Sequence, residues 1–178
     1  ERRAADRYAI DPADRRQYGS LVTALKQANA LPDVVGHFWG LGIDALGVQT
    51  DLDRGFYSLL FLTQALGDCG STRPLRIGVV TSGVHDVTGA EALQPGRATA
   101  LGPWRVIPAE YQHVTCRAIE VIVSEWQDAG TERIGELVRE IAGGADSRIA
   151  AHRNGHVWVE TADAMHLDGV GESVPSRL

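Results

Sequence analysis

Short apolar runs alternate along this chain with longer stretches whose apolar residues recur every three or four positions. The runs are Val34 to Trp39, Leu75 to Thr81 and Val114 to Val121. Near-continuous apolar runs of this length predict strands covered on both faces. The intervening stripes are Tyr18, Leu21, Val22, Leu25 and Ala28; then Phe56, Leu59, Leu60, Thr63 and Leu66; then Ile134, Leu137, Val138 and Ile141. Each predicts a helix with one buried face. Strands and helices alternating in this way imply right-handed crossovers and a mostly parallel sheet, so the expected class is α/β.

Local signals place the element ends. Arg7 to Ile10 is a short strand candidate. Asp11 suits the cap of the first helix, with Pro12 as its first residue, and Leu31-Pro32 stops it. The second helix starts at about Asp53, and Gly67 suits the position just past its end. Gly96 to about Tyr111 reads as a helix that Pro103 kinks and Pro108 ends early. Thr131 caps the last helix, and Gly143-Gly144 closes it. Between Arg148 and Ala162, Asn154-Gly155 predicts a two-residue hairpin at the edge of the sheet. From Gly169 onward Gly, Ser, Pro and Glu dominate. Residues 1–168 therefore read as a single domain and 169–178 as a linker toward a downstream domain.

Composition removes several classes of function. The chain has 178 residues, 44% of them apolar, which is enough for a substantial core and too much for general disorder. Its net charge is −6 and its basic residues do not cluster, which argues against a nucleic-acid partner. No apolar run is long enough to cross a bilayer, so no membrane partner is expected. Glu1 to Arg7 is charged rather than apolar, and the cytoplasm is the expected compartment.

Individual residues give few chemical leads. Cys69 and Cys116 lack the spacing of a metal knuckle or a redox pair and read as two buried, reduced thiols. Cys116 follows His113 by three residues, but strand alternation separates such neighbours. Ser82 lacks the Gly-x-Ser-x-Gly elbow of a nucleophile. His152 and His156 flank the hairpin turn, which sets Arg153 opposite His156 and His152 opposite Val157, with no third metal ligand in sight. His37 lies near a strand end, either as a hydrogen-bonded core residue or beside a residual pocket. Gly40-Leu-Gly42 lacks the third glycine of a phosphate cradle. Trp104, Tyr111 and Trp126 fit either a core or a surface that meets another domain.

Four stretches fall in a recognisable order: GFYSLLFLTQAL (Gly55 to Leu66), IGVVTSG (Ile77 to Gly83), VTGAE (Val87 to Glu91) and LGPWRVIPAEY (Leu101 to Tyr111). With Val34 to Leu41 and Arg153 to Val159, they resemble the N-terminal, structural half of ketoreductase regions in modular type I polyketide synthases. The resemblance implies a Rossmann-like sheet flanked by helices, a truncated and degenerate short-chain dehydrogenase fold with a C-terminal edge hairpin. In that family a second, catalytic half carries the dinucleotide loop and the Ser, Tyr and Lys that reduce a β-ketoacyl group on an acyl carrier protein. The family's structural half usually opens with a strand and helix upstream of the segment resembling Asp6 to Pro12, and this chain begins without them.

By that resemblance Ser82 stands where a working enzyme has its catalytic serine, and the tyrosine and lysine would fall at about Pro95 and Thr99. Neither can act. Proline has no proton to give, and threonine carries no charge to lower a tyrosine's pKa or hold a ribose. Lys26 is the sole lysine; Tyr8, Tyr18, Tyr57 and Tyr111 are followed four residues later by Pro12, Val22, Phe61 and Thr115. No Gly-x-Gly-x-x-Gly run is present.

The expectation is a non-catalytic scaffold subdomain of a polyketide synthase (a structural subdomain or pseudo-ketoreductase), with Ser82 a vestigial candidate only. It has no cofactor-binding or metal residues, and NADPH is expected only in a catalytic partner half. The implied partners are that half or adjacent synthase domains, with the acyl carrier protein reached indirectly. The alternatives are a fragment of an active NADPH-dependent β-ketoacyl-carrier-protein reductase, or a carrier-protein or small-ligand binding module using the cleft near His37 and Ser82.

Overall fold

The computed structural model describes residues 2–4, 7–42, 47–126, 130–143 and 149–164. The chain opens with a small antiparallel ribbon, β1 (Arg2–Ala4) and β2 (Arg7–Tyr8), separate from the main sheet. The strand expected from Arg7 to Ile10 is therefore present but shorter, and it pairs outside the main sheet.

Helix α1 spans Arg15–Gln27. Its cap is Asp14, whose Oδ1 accepts the Arg16 amide at 3.0 Å, and not Asp11. Asp11 accepts the Ala13 amide at 2.9 Å and so builds the turn before the helix. The helix ends before Leu31-Pro32 because Asn29 takes a left-handed φ of 52°, letting the Ala30 amide reach back to the Leu25 carbonyl at 2.9 Å.

Strand β3 (Val34–Gly40) precedes α2 (Val48–Asp51), which runs through a π-helical turn, Leu52–Tyr57, into α3 (Ser58–Asp68). This helix starts earlier than its stripe suggested. Gly67 lies inside it, not past its end, and the ring of Tyr111 leaves no room for a side chain there: a Cβ would come within 2.5 Å of it. The glycine that follows the helix end is Gly70, with φ 72°.

Strand β4 (Leu75–Thr81) leads to two helices rather than one kinked helix: α4 (Pro95–Ala98) and α5 (Leu101–Glu110). Pro103 sits in the first turn of α5, where amides have no helical partner, so it neither kinks nor breaks the helix. Pro108 is accommodated in the last turn. Then come β5 (Val114–Val121), α6 (Val123–Trp126), α7 (Thr131–Gly143) and the hairpin β6 (Ala150–Arg153) and β7 (His156–Val159). Gly144, Arg148 and the expected linker at 169–178 lie outside the described residues.

The main sheet has the order β3-β4-β5-β6-β7. The first four strands are parallel and β7 is antiparallel. Asn154 and Gly155 both take positive φ, 51° and 76°, as a tight hairpin turn requires. Arg153 faces His156 and His152 faces Val157, as the turn chemistry predicts.

Strand alternation divides the core into two layers. On one face Ile77, Val79, Cys116 and Ala118 meet Tyr18 and Val22 of α1, Leu59 and Leu66 of α3, and Trp104 and Ile107 of α5. On the other, Val80, Ile119 and Val121 meet Leu137 and Ile141 of α7. Gly78 lies under Ile141; a Cβ there would be 2.6 Å from its side chain. Among the described residues β3 is a terminal strand, and it is not covered on both faces as expected. Val34, Phe38 and Trp39 are each more than a third exposed. Among the described residues no helix is long and apolar enough to cross a membrane.

Candidate functional site

The parallel strands all end on one side of the sheet, where the loops leaving them diverge. Open α/β sheets place their ligand crevices at this edge. Here it holds a cleft of about 450 Å³ whose lining includes Gly42, Ser82, Gly83, Glu91, Arg97, Ser124, Glu125 and Arg153. Gly83 shapes the floor with φ 69°, and a Cβ on it would stand 3.0 Å from the Ala92 carbonyl. The loop returns at that point, with the Gln94 amide donating to the Gly83 carbonyl at 2.6 Å.

Ser82 follows β4 directly and is buried. Its hydroxyl donates to the Gly42 carbonyl at 3.0 Å. The same oxygen receives Arg97 Nη1 at 2.8 Å and lies 3.3 Å from the Gly42 amide. Arg97 Nη1 also donates to the Gly42 carbonyl at 2.6 Å. On its other side, Arg97 Nε lies 3.8 Å from Asp51 Oδ1. The residues read as stand-ins for a tyrosine and a lysine do nothing comparable. Pro95 opens α4, and the Thr99 hydroxyl donates to the Gly96 carbonyl at 2.7 Å.

A buried cation therefore does stand beside Ser82, contributed by Arg97, and the sequence reading missed it. The spacing searched for was that of a tyrosine followed by a lysine, whereas this arginine lies between the two expected positions. An arginine directly after Pro-Gly in a short apolar helix was the available signal. An arginine guanidinium can hold negative charge but is not a general acid of the kind ketone reduction requires.

A second buried cluster closes the side of the cleft. Glu120 at the end of β5 accepts the amides of Val84 at 2.9 Å and His85 at 3.1 Å. Arg153 Nη2 reaches it at 3.0 Å, while Arg153 Nε reaches Glu91 Oε1 at 2.9 Å. The guanidinium thus ties the loop after β4 to the ends of β5 and β6. Burial works against the charge on Glu120, yet its bonds with His85, the Val84 and His85 amides and Arg153 lower its pKa. Burial opposes the charge on Glu91 too. Hydrogen bonds from Arg153 and from the amides of Thr88 and Ala90 hold that carboxyl well below the usual range.

The remaining sequence candidates are scattered. His37 is a hydrogen-bonded core residue on β3, with Nε2 2.6 Å from the Ser58 hydroxyl. Ser58 in turn donates to the Arg54 carbonyl. Burial pulls the His37 pKa down to about 4. Cys116 is buried in β5, and burial pushes its thiol up to about 12, the opposite of an activated nucleophile. Cys69 is only half-buried, contrary to expectation, because it lies just past the end of α3; its thiol donates to the Leu66 carbonyl at 2.9 Å.

Lys26 is spent on α1, donating to the Cys69 carbonyl at 2.7 Å. His152 pairs with Glu140 at 2.9 Å, and His156 bonds the Asn154 carbonyl. No metal-holding cluster occurs among the described residues. Trp104 is in the larger core, where Tyr111 packs against it, and Trp126 packs against the smaller one.

The profile of the family described as "Beta-ketoacyl synthase-like, N-terminal" matches residues 1–139. No curated protein matches the sequence. Among solved structures, the chain is similar to a multidomain structure described as adenylation, ketoreductase and pseudo Asub domains of a keto acid-selecting NRPS module. Identity is 19% and the TM-score 0.70, over 86% of this chain and 13% of that one. An N-terminal ketoreductase from a macrolactin assembly line is 18% identical, with TM-score 0.67, over 85% and 30%. A short-chain dehydrogenase from Mycobacterium avium is 17% identical, with TM-score 0.62, over 87% and 62%. The chain thus spans less than a third of the first two structures. At these identities the likeness establishes the fold, a truncated short-chain dehydrogenase sheet, as the sequence resemblance implied. The match over residues 1–139 establishes the family: this chain belongs to the beta-ketoacyl synthase-like, N-terminal family.

Proposed function

We propose that the chain is a non-catalytic scaffold subdomain of a modular polyketide synthase, one that supports a ketoreductase half. The observation that carries this reading is the engagement of Ser82. Its hydroxyl is held between the Gly42 carbonyl and the Arg97 guanidinium, in the place the family resemblance gives to a catalytic serine. Ketone reduction needs a proton donor where negative charge develops on oxygen. The described lining of the cleft contains no tyrosine and no lysine, and Arg97 cannot supply the proton. Under this reading NADPH belongs to the partner half, and the acyl carrier protein is met through that half.

The test is fluorescence-detected titration of the chain with NADPH, alongside co-purification with a ketoreductase catalytic half. No saturable NADPH binding together with a stable complex is the expected result. Saturable micromolar binding, or ketone reduction by the chain alone, overturns the reading in favour of a reductase fragment with its own cofactor site. The cleft itself favours one second reading, a small-ligand or carrier-arm binding module, which predicts ligand-dependent protection of Ser82 and its neighbours from hydrogen exchange.

A further inference from the structure

The cleft at the carboxyl ends of the strands is drawn from four neighbours in the sheet. Gly42 follows β3, Ser82 and Gly83 follow β4, Ile122 and Val123 follow β5, and Asn154 follows β6. These strands are adjacent in the order β3-β4-β5-β6, so the cleft crosses three strand spacings, about 14 Å. A volume of about 450 Å³ over that length leaves a channel about 30 Å² in section, room for one extended chain. The loop after β4 supplies the facing wall. Arg153 holds it through Glu91 at 2.9 Å, and Glu120 holds it through the Val84 amide at 2.9 Å. The channel is therefore built before any ligand arrives, which lowers the ordering cost of binding.

Charge and hydrogen-bonding capacity restrict what can enter. Each charged side chain in the described lining already has a counter-charge. Arg97 lies 3.8 Å from Asp51, Arg153 2.9 Å from Glu91, and Glu125 3.7 Å from Arg133. An ionic ligand would bring in a charge with no counter-charge to meet it, at a desolvation cost. Neutral groups are in the opposite state. The side-chain amides of Gln94 and Asn154 and the hydroxyls of Thr88 and Ser124 line the channel and bond no described residue. Each can both donate and accept, as the amides of a ligand require. Val121, Ile122 and Val123 add apolar surface suited to methylenes.

We propose that this cleft holds an extended, uncharged chain of secondary amides joined by methylenes, the chemistry of a carrier protein's pantetheine arm. The inference rests on the second reading above and names its ligand. A channel of this section has little room for the alternating side chains of a peptide, so the arm is the occupant. The cleft grips the arm without reacting with it, because Ser82 is already held by Gly42 and Arg97.

The test titrates the full chain with S-methylpantetheine, which carries both amides and no ionisable group, with affinity read by calorimetry. Saturable one-to-one binding is expected. S-carboxymethylpantetheine, the same chain ending in a carboxylate, should bind at least tenfold more weakly. Gln94→Leu should weaken binding of the uncharged probe at least fivefold, and Ser124→Trp, which fills the channel, should abolish it. Gln27→Leu on α1 is the control and should change nothing. Independently of any variant, amides of residues 83–94 and 122–125 in the unsubstituted chain should gain hydrogen-exchange protection on adding the probe. A carrier protein bearing its arm should bind more tightly than the same carrier without it.

Binding of a capped diglycine as tight as that of S-methylpantetheine assigns the channel to a peptide; it overturns the arm and leaves the small-ligand reading standing. No binding by any of the three probes, with no new protection, overturns that reading and this inference together. Equal affinity for the charged and uncharged chains, or binding that survives both cleft variants, overturns the assignment to this channel. A carrier bound equally well with and without its arm overturns the carrier as the source. The scaffold reading stands or falls separately, on the complex with the catalytic half.

Discussion

Arg153 shows how far a single side chain can be committed to architecture. Its guanidinium is almost fully buried and lies 2.9 Å from Glu91 and 3.0 Å from Glu120. Buried ion pairs add little against an apolar replacement, but removing one partner leaves a charge without water or counter-charge. Arg153→Ala is therefore expected to lower unfolding stability by about 3–5 kcal/mol in urea titration, since two carboxylates lose their partner. Glu120→Gln in the same background should recover part of the loss, and strictly additive effects would show that the two residues do not interact. Nothing in the sequence announced this cluster. Glu91, Glu120 and Arg153 are far apart along the chain, and ordinary charged residues give no sign that folding will bury them together.

Elements tell a more even story. Strands β4 and β5 carry the bounds read from the sequence, because long apolar runs between turn residues leave little choice of register or end. Helix ends were read less well. Two aspartates precede α1, and local pattern does not choose between them; the hydrogen bond from the Arg16 amide does. Asp14→Ala should cost about 1 kcal/mol of stability and Asp11→Ala less, with reversed sizes restoring the earlier assignment.

Packing between elements is tested by two glycines. Gly78 lies under Ile141, so Gly78→Ala should destabilise by about 1–3 kcal/mol through overpacking. Gly135 has open space around it on α7, so Gly135→Ala should stabilise by about 0.5–1 kcal/mol through helix propensity alone. Thermal unfolding of the two variants gives shifts of opposite sign if the α7 contact is as described.

For the whole molecule, burial of titratable groups sets the acid limit. His37 takes up its proton at about 4 in the fold, against 6.5 when unperturbed, because burial penalises the cation. The unfolded chain then binds the proton first as pH falls, so the contribution of His37 is fully present above pH 6.5 and is lost on the way down to 4. The loss should total about 3 kcal/mol at 25 °C. Glu120 and Glu140 act next. Each has a pKa lowered in the fold, Glu140 chiefly by its hydrogen bond with His152, so each stabilises above about 4.5 and loses that contribution at lower pH. Urea unfolding at successive pH values should show stability falling from pH 6.5, and His37→Gln should flatten the curve between 6.5 and 5. A wild-type curve already flat in that interval would refute the account of His37.

The sequence alone determined the α/β class, the parallel sheet, the hairpin at its edge and the lack of a tyrosine–lysine pair. These follow from apolar periodicity, turn chemistry and residue identity, which are local properties. Tertiary structure decided that Arg97 meets Ser82, that Glu91, Glu120 and Arg153 close one side of the cleft, and that β3 and β7 are the terminal strands among the described residues. Those outcomes depend on which distant residues are brought within a few ångströms, and on which apolar side chains remain uncovered once the layers have packed. No window along the chain contains that information, because the desolvation and charge pairing that fix it arise only between elements.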